Sequence, residues 1–274
     1  MQIDDLLRRV ESLPPLPRTI ILIEEYRRKS EKEISELHDI ISKDALIVTN
    51  LLKIANSAMF GFRSKVETPI RAISLLGINF TISVAISASS QKLLVTTLAP
   101  YGLTNDNFMN SSNIASVLAS LWLGKIDESI KDEIILPALL IDIGKYIIAD
   151  MILNEQKEKE FKVKIEEGIL SIEEVEKEFL GFSSSYVTAQ IFKHWKLSPN
   201  LINSIEFVDD INNVSKEFER KAKILSVIKT VANIKEPLSE KSIKEGIIKA
   251  KEYGFDTNIL AQTIENLKTK IDLY

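Results

Sequence analysis

Hydrophobic residues recur at intervals of three and four along most of this chain, the spacing that gives a helix one apolar face. Leu6, Leu7, Val10 and Leu13 form the first stripe, and "LPPLP" (13–17) breaks it because its prolines remove backbone donors. The pattern resumes in a helix over about 19–30 and a shorter one over about 34–42. Asp44 is placed to cap the next helix, which carries Leu51, Leu52, Ile54 and Ala55 and ends at "NSAMFGF" (56–62). Thr68 before Pro69 predicts a further start, with Gly77 as the matching stop. Helices are expected over about 79–97, from Asn105 or Asp106 to about Leu123, and over about 131–153. "SIEE" (171–174) reads as a capping box, Ser198-Pro199 repeats the cap-plus-proline device, and the last helices begin near Ser215, Ser239 and Thr257. Asn-Gly and Asp-Gly turn signals are missing. The expectation is an all-α, two-lobed helical fold. One lobe spans 1–100, the second 101–210, and a C-terminal helical extension over 211–274 packs on them.

Composition narrows the function classes. Hydrophobic residues make up 45% and charged residues 27% of the 274 positions, which fits a folded domain with a sizeable core. Lysine and arginine number 35 against 39 acids, a net charge of −4, so no global attraction to nucleic acid or anionic membrane is expected. The absence of cysteine removes disulfides, thiol catalysis and cysteine-ligated metals. The longest apolar run, "IILPALLI" (134–141), is too short to span a bilayer, and the amino terminus has no apolar signal core; a cytoplasmic protein is expected.

Few residues carry candidate chemistry. Asp142 lies inside the apolar stretch "PALLIDIGKYIIAD" (137–150), where an unpaired carboxylate would cost several kcal/mol, roughly, or take up a proton. It either joins a buried polar network, with Lys145 three residues on as the natural partner, or lines a ligand pocket. The two histidines, His38 and His194, read as surface or packing residues, and Ser183–Ser185 reads as a helix cap rather than a nucleophile. The mixed-sign runs over 24–33 and 154–167 read as solvated faces, and no Gly-rich phosphate loop occurs. Asn56 and Ser57 are expected to cap a helix and bridge the lobes, or to contact a partner or small ligand. Phe60 and Phe62 beside them are packing residues or a docking surface.

"LPPLP", "IISKDALIVTNLLKIANSAMFG" (40–61), "TPIRAISLLGI" (68–78), "ALLIDIGKYII" (138–148) and "LGFSSSYVTAQIFKHWKLSPNLINSI" (180–205), in this order, resemble the HDOD (HD-related output domain) family. That resemblance implies an HD-domain-like helical core, related to phosphohydrolases in which histidines and aspartates hold a divalent metal. Transferred onto this sequence, the metal-ligand positions fall at Asn110, Ile141, Asp142, Ser184, Val208 and Asp209. Only Asp142 clearly keeps its motif ligand, so the resemblance implies no catalytic residue, no metal ligand set and no cofactor. Asn110, Asp142, Lys145 and Ser184 are then candidates for lining a remnant pocket. The function expected is a non-catalytic regulatory module acting through a protein partner or a small bound ligand, with neither nucleic acid nor membrane as partner. The alternative is a metal-dependent phosphohydrolase of nucleotides or cyclic dinucleotides, with an altered site built from Asp142 and Asp209 or Asp210.

Overall fold

In a computed structural model, which describes residues 2–92 and 96–272, every regular element is helical. The first six helices are α1 (Gln2–Glu11), which packs on two later helices at 145–154 and 184–194, and α2 (Arg18–Arg27), α3 (Ile34–Ile41), α4 (Ala45–Ala55), α5 (Pro69–Leu76) and α6 (Ile78–Lys92), which form the first lobe. The predicted caps form: Asp44 accepts from the Leu46 and Ile47 amides, and Thr68 accepts from the Arg71 amide ahead of Pro69. Gly77 closes α5 at φ +86°, a backbone conformation that a side chain would strain. The predicted extension of α6 to 97 falls partly on residues 93–95, outside the described residues, and 96–98 are not helical. Leu7 is half-exposed on α1, so the buried face there consists of Leu6 and Val10.

The second lobe is built on α7 (Asn105–Ile126), α8 (Glu128–Leu140) and α9 (Lys145–Asn154). α10 (Glu158–Glu167), α11 (Ile172–Leu180), α12 (Ser184–His194) and α13 (Pro199–Glu206) follow, and α14 (Lys216–Val231), α15 (Glu240–Glu252) and α16 (Thr257–Asp272) finish the described chain. α7 packs along α8, α6 joins the lobes by packing on both α4 and α8, and α14 lies against α7, α8 and α13. One continuous hydrophobic core runs through both lobes. Among the described residues, no helix is long and apolar enough to cross a membrane.

The expected single helix over 131–153 is two helices. A turn over 141–144 separates α8 from α9, and it is locked from outside. The Thr188 hydroxyl accepts from the Gly144 amide at 3.0 Å and lies 3.1 Å from the Ile141 carbonyl, clamping the turn onto α12. Gly144 permits this approach. A β-carbon there would sit 2.3 Å from the Ser184 carbonyl oxygen and 2.8 Å from the Thr188 amide nitrogen, both backbone atoms with little freedom to give way. Apolar periodicity could not reveal the break, because 134–149 is buried on every side. Its consequence is positional: Asp142 sits in the turn and Lys145 opens the next helix. Gly144→Ala is expected to destabilise the fold by about 1–3 kcal/mol, the usual cost of overpacking, read as a shift in the urea midpoint at unchanged slope.

Candidate functional site

Burial brings a set of charges together where the turn, α11, α12 and α14 meet. Lys145 is fully buried, and its Nζ donates to Glu176 Oε1 at 2.8 Å, to Glu173 Oε1 at 3.1 Å and to Ser184 Oγ at 3.1 Å. Lys229, on α14, donates to both Asp209 oxygens at 2.9 and 3.0 Å, to Ser185 Oγ at 3.1 Å and to Ser184 Oγ at 3.3 Å, and lies 3.1 Å from Glu173 Oε1. Asp142 Oδ1 stands 3.3 Å from the Lys145 ammonium and 3.8 Å from that of Lys229. Four carboxylates thus surround two ammonium groups, and Glu173 is shared between both.

The scaffold accounts for each placement. Ser171 and Glu174 form the predicted capping box, which starts α11 and presents Glu173 and Glu176 three residues apart on one face. The Ser183 side chain does not cap α12. Remote carboxylates do so instead: Glu176 Oε2 accepts from the Ser184 amide at 2.6 Å, and Asp209 Oδ2 from the Ser185 amide at 3.4 Å. Negative charge at a helix N-terminus is favourable, and both acids satisfy amides that have no partner within the helix. Tyr101 completes the wall, donating its hydroxyl to Glu176 at 2.9 Å.

Electrostatics follow from that packing. Burial opposes the charge on Lys145, but Glu173, Glu176 and Asp142 outweigh it and hold its pKa well above the usual lysine value. Lys229 is likewise held high, chiefly by Asp209 and Glu173 against the opposing effect of burial. Burial also works against ionisation of Glu173, yet the two lysines overcome it and hold that carboxyl far below its ordinary range. Glu176 is pushed upward, first by burial and then by the charge of Glu173. The Tyr101 hydroxyl is pushed well up by burial and by Glu176.

The residues singled out from sequence are distributed unevenly. Asp142, Lys145 and Ser184 converge here, whereas Asn110 is exposed on α7 and does not line the cleft over the cluster. Asn56 ends α4 and ties down the following loop: its side-chain amide donates to the Leu52 and Val66 carbonyls, both at 2.8 Å, and its oxygen accepts from the Val66 amide at 2.7 Å. It thereby staples the first lobe internally. Ser57 donates to the Ile54 carbonyl at 2.7 Å. Phe60 stacks on Phe62 with ring centres 5.8 Å apart and meets Phe80 edge-on at 5.3 Å. His194 contacts the Leu13 carbonyl at 3.1 Å, and Trp195 donates to that of Pro14 at 3.2 Å, docking "LPPLP" on the end of α12. Glu24 departs from the expected solvated face: it is buried and paired with Arg27 at 2.9 Å. Sequence reasoning missed Glu173, Glu176 and Lys229. The available signals were a glutamate on the apolar side of α11 and a lone lysine inside "ILSVIKTVA" (224–232).

A divalent metal does not fit this donor set. Metal–oxygen contacts are about 2.0–2.6 Å, but the space between these carboxylates is filled by ammonium groups at 2.8–3.3 Å from their oxygens. Among the described residues, no group of three or more histidine, aspartate or glutamate side chains is placed to hold a metal ion.

Lys145→Met leaves four carboxylates with the single ammonium of Lys229, and is expected to cost about 3–5 kcal/mol at neutral pH, as for any broken buried ion pair. The loss should shrink on acidification. Glu173, with its depressed pKa, contributes stability that is complete above the ordinary glutamate value of 4.5 and fades as pH falls toward its folded value. In the variant the same carboxyls repel, so protonation below about 4.5 relieves them. Urea denaturation of both proteins at pH 8 and pH 4 measures this directly.

Family comparison matches residues 13–211 to the HDOD domain. A protein from Marinobacter aquaeolei VT8, assigned provisionally to signal transduction, superposes with a TM-score of 0.72 at 18% identity, covering 99% of this chain and 63% of its own. A provisionally named phosphohydrolase from Shewanella amazonensis SB2B superposes at 0.65 with 21% identity, covering 97% of each chain. At such identities the likeness establishes the fold. An uncharacterized protein of Treponema pallidum (strain Nichols) is 22% identical over 222 residues, 77% of this chain, which spans 40% of that relative's length. With nearly three-quarters of its length matched in one continuous block, the chain belongs to the HDOD domain family.

Proposed function

We propose that this chain is a non-catalytic regulatory module of a signalling system, acting through protein contacts or a small bound ligand. One observation carries the reading. Around Asp142, where the family resemblance implies a metal ligand, stand the Lys145 and Lys229 ammonium groups, whereas an HD-type enzyme needs a metal with an open coordination position. An ammonium balances carboxylate charge but offers no vacant position at which water could be activated. Neither Ser184 nor Ser185 has a base: both hydroxyls accept from lysines whose raised pKa keeps them protonated. The provisional assignment of the Marinobacter relative to signal transduction agrees with this reading; that of the Shewanella relative to phosphohydrolases is the alternative it competes with.

Purified protein supplied with magnesium, manganese, iron(II) or zinc is expected to turn over no phosphomonoester, nucleotide or cyclic dinucleotide, and to retain no stoichiometric metal after desalting. Turnover that disappears in Asp142→Ala would replace this reading with the phosphohydrolase one.

A further inference from the structure

Acidic residues are spread through this chain except in one stretch. Residues 45–105 carry a single acid, Glu67, against five cations, although the 274 positions hold 39 acids in all. A net charge of +4 there stands against −8 over the rest of the chain. Most of α6 is buried, so this charge reaches solvent chiefly at the loop between α4 and α5 and at the start of α5. Lys53, Arg63, Lys65 and Arg71 are all exposed at that end of the first lobe. Among the described residues, no carboxylate forms an ion pair with any of the four.

The loop is ordered without help from a partner. The Asn56 side chain bonds both backbone groups of Val66, ten residues on, as well as the Leu52 carbonyl. Lys53 lies about one helical turn, or about 5 Å, before this staple. Arg63 and Lys65 lie within three residues, about 10 Å, of Val66. Thr68 caps α5 just beyond, which fixes Arg71 in the first turn. Such spacings are comparable with the Debye length at physiological salt, about 8 Å, so the cations act together on whatever approaches. Apolar surface lies among them. Ile70 is 46% exposed at the start of α5, and Phe62 is half-buried and stacked on Phe60. A charged and apolar face already held in place avoids the entropic cost of being ordered on binding.

We propose that this end of the first lobe docks an acidic segment of a protein partner, its carboxylates meeting Arg63, Lys65 and Arg71 and an apolar side chain resting against Phe62 or Ile70. The inference rests on the reading of the module as a regulatory one and names the face through which it makes a protein contact. Charge selects the acidic partner, and the interleaved aliphatic and aromatic surface selects one with an apolar anchor. Large polyanions fit less well. A nucleic acid or an anionic bilayer extends beyond the patch and meets the −8 carried by the rest of the chain, whereas a short acidic segment does not.

Selection from a random peptide library on the full chain tests it, with Arg63→Glu/Arg71→Glu as the counter-selecting variant. Both residues are exposed, and a glutamate at 71 falls in the first turn of α5, where negative charge is favourable, so the variant should fold. If it does not, Arg63→Glu/Lys65→Glu takes its place. Peptides retained by the chain and not by the variant should be enriched in aspartate, glutamate and large apolar residues relative to the starting library. A synthetic peptide from that pool should bind the variant at least about tenfold more weakly, because two attractive pairs become repulsive. Lys244→Glu/Lys251→Glu, exposed on α15, reverses as much charge elsewhere and should leave its affinity within about twofold. No differential pool, a pool without acidic and apolar enrichment, or an equal loss in the α15 variant overturns the proposal. So does binding of single-stranded RNA or of anionic vesicles, or self-association of the chain, that the counter-selecting variant lacks, since each gives the face a different occupant. Such a failure without phosphoester turnover leaves the regulatory reading standing, whereas turnover overturns the reading itself.

Discussion

Two lysine ammonium groups enclosed by four carboxylates set the terms for the second lobe. Neither set of charges tolerates burial without the other, because an isolated ion in a medium of low polarity costs far more than folding can recover. The cluster draws its members from the turn at 141–144, from α11, from the loop after α13 and from α14, so it can assemble only when all four segments are in place. Buried ion pairs of this kind seldom add much net stability over a well-packed apolar core. What the cluster adds is discrimination, since a shifted packing would strand a charge.

The same geometry separates scaffold from chemistry. A divalent cation neutralises converging carboxylates and also keeps a position free to polarise water. A tethered ammonium performs only the first task. Its three protons point to defined acceptors, and their number is fixed, so some oxygens are satisfied and others left over. In this chain the remaining oxygen belongs to Asp142, the residue at which the resemblance to metal enzymes survives. A lysine pair also cannot be removed by a chelator or lost when metal is scarce, so the charge balance of the floor is permanent.

How much of this was legible in the sequence differs by level. Helix starts could be read, because capping is local chemistry: Asp44, Thr68 and the Ser171–Glu174 box act on amides two or three residues away. The break between α8 and α9 was hidden, because Gly144 is required by a helix more than forty residues later, and an apolar run buried all round has no polar face to reveal a change of phase. The pairing of Asp142 with Lys145 was readable from their spacing, but that of Lys229 with Asp209 was not, as it joins α14 to the loop after α13 across twenty residues. Asn110 illustrates the converse error: transferring a motif position by resemblance put it near the site, whereas the pitch of α7 leaves it exposed.

The contribution of α14 bears on where the module ends. The family match stops at residue 211, yet Lys229 lies eighteen positions beyond it and supplies one of the two positive charges in the cluster. Without that ammonium, Asp209 and Glu173 would face Asp142 with Lys145 alone to offset three buried negative charges and the fourth on Glu176. Desolvation would then favour protonation or opening of the site. Lys249 on α15 also lines the cleft, and its Nζ donates to Thr230 on α14 at 2.8 Å, so the two helices are tied together at the rim. The electrostatics of the second lobe are therefore closed by residues after 211, and the helices there belong to the same physical unit as the matched domain.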